Sequence, residues 1–277
     1  MKVQAHDGLM LDVNLNQFDS TKPTVVFINA LGVDSCITQA LSDAMVARGH
    51  NFVTWRRRGF PGVYDERFRE YSVQDQVQDL TTIVTELALP SFTLVAWCTG
   101  IQIALVAAAQ ESCLIEKMVL FNAPNFFNQG TPGLTGDTIG QVCRMLIHDE
   151  KKLDFLHQNI VAYNTKSMQD KLARIDNKQY QQMIQAPFNS GKEAFLRFAH
   201  LVNTTHEFKI SRTLTEQISC PTFIVGGGND DMVAWQESVA LAEIIPDAEY
   251  KIFANWGHYN LFTDTAEVCE DLILNGH

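Results

Sequence analysis

The chain predicts an α/β fold, a mostly parallel sheet with helices on both faces and a helical cap inserted near its middle. Three observations carry that expectation. Over the first 124 residues, apolar β-rich runs alternate with helical patterns, the signature of parallel strands joined by crossover helices. From about Asn125 to Arg212 the alternation stops, and Gln-, Lys- and Asp-rich helical stretches replace it. Strand-helix alternation then resumes to the end. The expected organisation is a core of residues 1–124 and 213–277, with 125–212 as a cap, since an interval that long should carry structure of its own.

Each element has its own signal. Leu9 to Leu15 alternates apolar and polar residues, as a half-exposed strand does. Thr24–Ile28 is a continuous β-rich run, typical of a strand buried on both faces. A helical pattern from about Ile37 to Arg48 ends at Gly49, a C-terminal cap, and Asn51–Trp55 is the next strand. Ser72 to Leu87 places Val73, Val77, Leu80, Val84 and Leu87 on one helical stripe, stopped by Pro90. Phe92 to Trp97 and Lys117–Phe121 read as buried strands, with a helix between them. In the cap interval, Gly130 to Gly136 is loop, and interruptions are expected near Pro187 and Gly191. Thr222–Gly226, a helix near Val233 to Ile244, Glu249–Phe253 and a last helix from about Asn260 to Leu274 complete the core.

Composition narrows the function classes. The 277 residues are 46% hydrophobic and 19% charged, an ordinary globular balance. A formal charge of −11 argues against a nucleic-acid surface, which needs a basic face, and is read as solubility. The six cysteines at 36, 98, 113, 143, 220 and 269 form no C-x-x-C pair and no zinc spacing. No apolar run reaches the ~20 residues of a membrane span, and Met1 to Gly8 lacks an apolar signal core. A reducing cytoplasm with free thiols is the expected setting.

The chemistry centres on Phe92 to Ala104, a short strand, a sharp turn with Cys98 at its tip, and an immediate helix. Ala96 and Gly100, two residues to either side of Cys98, are small, as a tight turn demands. The segment resembles the nucleophile elbow of the α/β-hydrolase superfamily, G-x-S-x-G, with a thiol in place of the usual hydroxyl. A nucleophile needs a base, and the base an orienting acid. The resemblance extends over nearly the whole chain. In the family's order, Asp230 in Gly227-Gly-Asn-Asp-Asp-Met-Val233 falls at the acid's place. His258 in Asn255-Trp-Gly-His-Tyr259 sits in the family's Gly-His turn. Asp231 is the alternative acid. His6-Asp-Gly8, Asn29-Ala30 after the third strand, and Arg58-Gly59 are further matches, although the family's usual His-Gly is here Asn29-Ala30. By position, the resemblance implies an oxyanion hole from the backbone N–H groups of Leu31 and Thr99.

Cysteine directs the expected reaction. Thiolate is the reactive form, and a helix N-terminus and a neighbouring imidazole both favour it. An acyl-cysteine is itself a thioester, so exchange with a thioester donor is nearly balanced and the acyl group stays activated. Family members with cysteine at the elbow include dienelactone hydrolases, polyester synthases, some thioesterases and Dieckmann-type cyclases. The resemblance therefore implies a thioesterase or acyltransferase acting through a Cys98 acyl-enzyme on a small acyl thioester or ester. The donor could be free, on coenzyme A, or on an acyl or peptidyl carrier protein. Two alternatives stand: a Dieckmann-type cyclase that releases a ring, and a non-catalytic binding protein on the same scaffold. No metal or redox cofactor is implied. Trp97 and Trp256 flank the nucleophile and the histidine as packing residues or walls of an acyl pocket. Arg56, Arg57 and Arg58 form the basic cluster of an acidic chain, either a brace between loops or, at Arg58, a hold on the phosphate of a pantetheine arm. Cys36, Cys113, Cys143, Cys220 and Cys269 are read as buried packing thiols, and Gly226-Gly-Gly228 is no phosphate loop.

Overall fold

The computed structural model describes residues 1–16, 18–110, 114–124, 138–160, 178–263 and 266–275. Cys113, the side chain of Cys269, the loop Gly130 to Gly136 and the expected start of the cap at Asn125 lie outside them. The described residues form an eight-stranded sheet: β1 (Lys2–Gln4), β2 (Met10–Leu15), β3 (Thr24–Ile28), β4 (Asn51–Arg56), β5 (Phe92–Trp97), β6 (Ile115–Phe121), β7 (Thr222–Gly227) and β8 (Glu249–Phe253). Their spatial order is β1-β2-β4-β3-β5-β6-β7-β8. β1 and β2 run antiparallel at one edge, and β4 through β8 are parallel. β1, three residues long, carried no signal in the sequence.

The parallel strands are apolar because both their faces are covered. β3 is buried along its whole length, as are β7 and all of β4 except Arg56. β8 is the exception: as an edge strand it exposes Glu249, Tyr250 and Lys251, and the charges blunt the free edge. On the faces lie α1 (Gln39–Ala47), α2 (Val73–Glu86), α3 (Gly100–Gln110), α9 (Trp235–Ala242) and α10 (Ala266–Asn275). α3 is apolar around its circumference, and its first nine residues are all buried. Ser72 caps α2 through a capping box with Asp75, which fixes where that helix starts.

Two expected helices are divided. A 3₁₀ turn (Ser35–Thr38) precedes α1, and another (Asn260–Phe262) stands apart from α10. Between β6 and β7 the described residues hold helices and no strand: α4 (Thr138–His148), α5 (described over 153–160), α6 (Lys178–Asn189), α7 (Lys192–Glu207) and α8 (Arg212–Thr215). α6 continues through Pro187, which was expected to interrupt it. Near the helix end a proline removes one hydrogen bond, and its ring is buried. Gly191, at φ +93°, makes the break between α6 and α7.

The chain runs from β3 to β4 on one side, then crosses back to β5 on the other. The loops leaving β3 and β5 therefore diverge and open a crevice at the carboxyl ends of the strands.

Candidate active site

Every residue singled out for chemistry follows a parallel strand. Leu31 follows β3, Arg57 follows β4, Cys98 and Thr99 follow β5, Asp230 follows β7 and His258 follows β8. Their loops meet at the crevice.

Cys98 sits at φ +51°, a left-handed conformation uncommon for a residue with a side chain. The strained turn is held on both sides. The Cys98 N–H donates to the Phe121 carbonyl at 2.9 Å, and Ile101 N–H donates back to the Cys98 carbonyl at 3.0 Å. Gly100 is required: a Cβ there would lie 2.5 Å from the Ile28 carbonyl oxygen and 2.8 Å from that of Asn29. Ala96 is fully buried beneath the turn.

The Asp230 carboxylate is fixed by four donors. Met232 and Val233 N–H bond to its Oδ1, both at 2.8 Å. His258 Nδ1 and Asn122 Nδ2 bond to its Oδ2, each at 2.8 Å. Asp231 lies exposed in the same turn. With Nδ1 engaged on Asp230, the other ring nitrogen of His258 is left to act on Cys98. Burial alone would discharge this imidazole. The negative charges of Cys98 and Asp230, with their hydrogen bonds, overcome it and push the pKa up to about 10. Asp230 is likewise opposed by burial, yet His258 and the two backbone donors hold its pKa below the ordinary carboxylate value. Glycine lets these loops meet: a Cβ on Gly227 would lie 2.4 Å from the Trp256 carbonyl oxygen, and one on Gly228 2.7 Å from that of Ala254.

Asn122 was missed in the sequence. It directly follows β6 at φ +54°, a conformation asparagine tolerates better than most residues. A lone amide closing an apolar strand, Phe121-Asn122-Ala123, was the available signal. Trp97 is buried behind the histidine. Its indole N–H donates to the His258 carbonyl at 3.2 Å, and its ring lies 5.1 Å from the imidazole. Trp256 is stacked on Phe253 at 4.2 Å between ring centres. Neither indole offers much surface to the crevice.

The other side of Cys98 is built from donors. Leu31 N–H bonds to Thr99 Oγ1 at 2.8 Å, while Thr99 N–H has no acceptor among the described residues. Behind them lies Arg57, buried, with Nε and Nη2 on Gln76 Oε1 at 2.9 and 2.6 Å. Its Nη1 meets the Asn29 carbonyl at 3.1 Å and Thr99 Oγ1 at 3.5 Å. No carboxylate among the described residues lies within 4 Å of it. Its neighbours are paired. Arg58 bonds Asp79 through Nε (2.8 Å) and Nη2 (2.5 Å), bonds Asp7 at 2.9 Å, and has no exposed side chain. A phosphate outside the fold has no access to Arg58 without breaking those pairs. Arg56 is held by Asp34 and Asp12. Of the other described thiols, Cys143 and Cys220 are buried and Cys36 is half-buried beside Arg56.

A family model described as the α/β hydrolase fold matches residues 23–265. A protein of Pseudomonas savastanoi pv. phaseolicola assigned as the carbamate hydrolase RutD is 22% identical over 222 residues, 80% of this chain and 81% of that one. Among solved structures, an enol-lactonase from Burkholderia xenovorans LB400 superposes with a TM-score of 0.77 at 15% identity, covering 99% of this chain and 98% of that one. An esterase from Exiguobacterium antarcticum gives 0.77 at 16% identity, covering 100% and 98%.

Proposed function

The chain belongs to the α/β-hydrolase fold family, and from that premise we propose that it is a cysteine-dependent acyl-transfer enzyme. It acts on a small thioester or ester, as a thioesterase or acyltransferase. The observation that carries this reading is Cys98, held at positive φ on the elbow, beside the loop that presents His258 with its Nδ1 gripped by Asp230. The similar proteins are named as an enol-lactonase, an esterase and a carbamate hydrolase, and lactones, esters and carbamates share a carbonyl bearing a leaving group, which supports the reaction class.

His258 takes the thiol proton of Cys98, giving a thiolate beside an imidazolium that Asp230 stabilises. Cys98 Sγ attacks the carbonyl carbon, and the C=O electron pair moves to oxygen. The Thr99 N–H receives that oxyanion, joined by the Leu31 N–H as it shares its hydrogen between Thr99 Oγ1 and the new acceptor; such donors contribute ~3 kcal/mol each where this has been measured. Collapse breaks the bond to the leaving thiolate or alkoxide, which takes the proton from His258. The acyl group is now a thioester on Cys98. Water or another acceptor then gives its proton to His258 and attacks, and a second collapse returns the thiolate. Asp230 keeps Nδ1 protonated and stabilises the cation throughout.

The helices between β6 and β7 act as the cap over this site. Their packing supports that role: a Cβ on Gly32, next to Leu31, would lie 2.5 Å from Pro187 of α6 and 2.8 Å from Phe198 of α7. A reducing cytoplasm suits the thiol. Among the described residues no helix is long and apolar enough to cross a membrane. Turnover of a panel of acyl thioesters and p-nitrophenyl esters, wild type beside Cys98→Ala, tests the proposal. Release of thiol or nitrophenol by the wild type alone is expected. Equal release by both proteins, or by neither, would reject it.

A further inference from the structure

We propose that the Thr99 hydroxyl is a further direct donor to the oxyanion, and that Arg57 holds and polarises it from inside the fold. The inference rests on the acyl-transfer reading above. A hydroxyl has one proton to give and two lone pairs to receive with. Leu31 N–H occupies one lone pair of Thr99 Oγ1 at 2.8 Å, and the Arg57 guanidinium approaches from behind at 3.5 Å. Both partners are donors and neither can accept. The Thr99 proton must therefore point elsewhere, and no acceptor among the described residues receives it. Thr99 is half-buried and adjoins Cys98, whose sulfur would carry the reacting carbon. The hydroxyl proton is thus directed toward the crevice where the oxyanion forms.

Charge points the same way. Arg57 is buried without a carboxylate, whereas Arg56 and Arg58 on either side have two each. Burial pushes its pKa down to about 9, and the negative charges of Cys98 and, from beyond pairing distance, Asp79 draw it back up. A buried cation with no carboxylate paired to it is unfavourable in a resting fold. Behind the elbow it is matched when negative charge appears on the sulfur or on the substrate oxygen, which is how preorganised electrostatics favour a transition state. Arg57 does not touch substrate in this arrangement; it is a positioning residue acting through Thr99.

The test compares two reactions of the same thiol. Acylation by an acyl N-acetylcysteamine thioester builds an oxyanion, whereas alkylation by iodoacetamide displaces iodide and builds none. Rates of both are measured by rapid quench for wild type, Thr99→Val, Thr99→Ser, Arg57→Met and Arg57→Lys. Thr99→Val is expected to slow acylation about 100-fold, the loss of one oxyanion donor, while alkylation stays within about threefold. Thr99→Ser should recover most of the acylation rate. Arg57→Met should slow acylation about tenfold more than alkylation, with Arg57→Lys intermediate. Normal alkylation in a variant also reports a folded site. The inference is overturned if Thr99→Val acylates as fast as or faster than wild type, because the hydroxyl would then only fill the hole until substrate displaces it. It is also overturned if both reactions fall together, the mark of a structural role. A wild type that is alkylated but never acylated rejects the acyl-transfer reading itself, and this inference with it.

Discussion

Cys98 stands between two regions that treat charge in opposite ways. On one side, His258, Asp230 and Asn122 form a closed set in which the carboxylate has four donors and the cation has two anionic neighbours. On the other, Leu31, Thr99 and Arg57 offer donors and a positive charge, and no carboxylate among the described residues lies within 4 Å of that charge. The first region is arranged to hold a proton and the second to receive negative charge. A carbonyl turning into an oxyanion needs both, on opposite sides of one nucleophile.

The comparison breaks most completely at its centre. Cys98→Ala should lower turnover by about 10⁴-fold or more, as removal of a triad nucleophile does. The same variant should lower the His258 titration from about 10 toward its ordinary range, because the Cys98 charge is a main cause of the elevation; the imidazole resonances by NMR would show it. The sign of the pH dependence follows. The stability that His258 gains from its partners is complete below its unfolded pKa of ~6.5. It is lost as pH rises through about 10, so an alkaline decline in unfolding temperature should shrink in Cys98→Ala.

Asp230→Asn attacks the closed side, and a loss of about 10⁴-fold in kcat is expected from the wrong imidazole tautomer. Two stability predictions then sharpen the contrast between adjacent arginines. Arg58→Met strips the buried Asp79 of both guanidinium bonds and leaves Asp7 with the longer Arg67 contact at 3.5 Å, and should cost about 3–5 kcal/mol in denaturant unfolding. Arg57→Met leaves no carboxylate behind and should cost clearly less. Equal costs would mean that Arg57 is a brace like its neighbour. Asn122→Ala is the smallest change. Losing one hydrogen bond to a charged group should cost about 1.5–3 kcal/mol of stability, with Asp230 left on three donors.

Much of this was legible in the chain because it depends on local pattern. Buried strands read as apolar runs, and the elbow needs small residues at fixed offsets from Cys98. The choice of Asp230 over Asp231 also followed from its place after a strand, and the geometry brings Asp230 to the imidazole. What escaped depends on partners distant in sequence. Asn122 lies 108 positions from the aspartate it holds. Arg56, Arg57 and Arg58 look alike as letters. Each points a different way as the chain leaves β4, toward Asp12 and Asp34, toward Gln76 and Thr99, or toward Asp7 and Asp79. Trp97 sits next to the nucleophile in sequence, yet strand alternation turns its ring behind His258.

The central claim, that Cys98 carries the acyl group, is tested most directly by intact-protein mass spectrometry after mixing with acyl thioesters and quenching in acid. The account predicts a mass increase equal to one acyl group on the wild type, mapped to the peptide containing Cys98, and none on Cys98→Ala. An adduct of equal amount on both proteins, or one mapped to another residue, would contradict it.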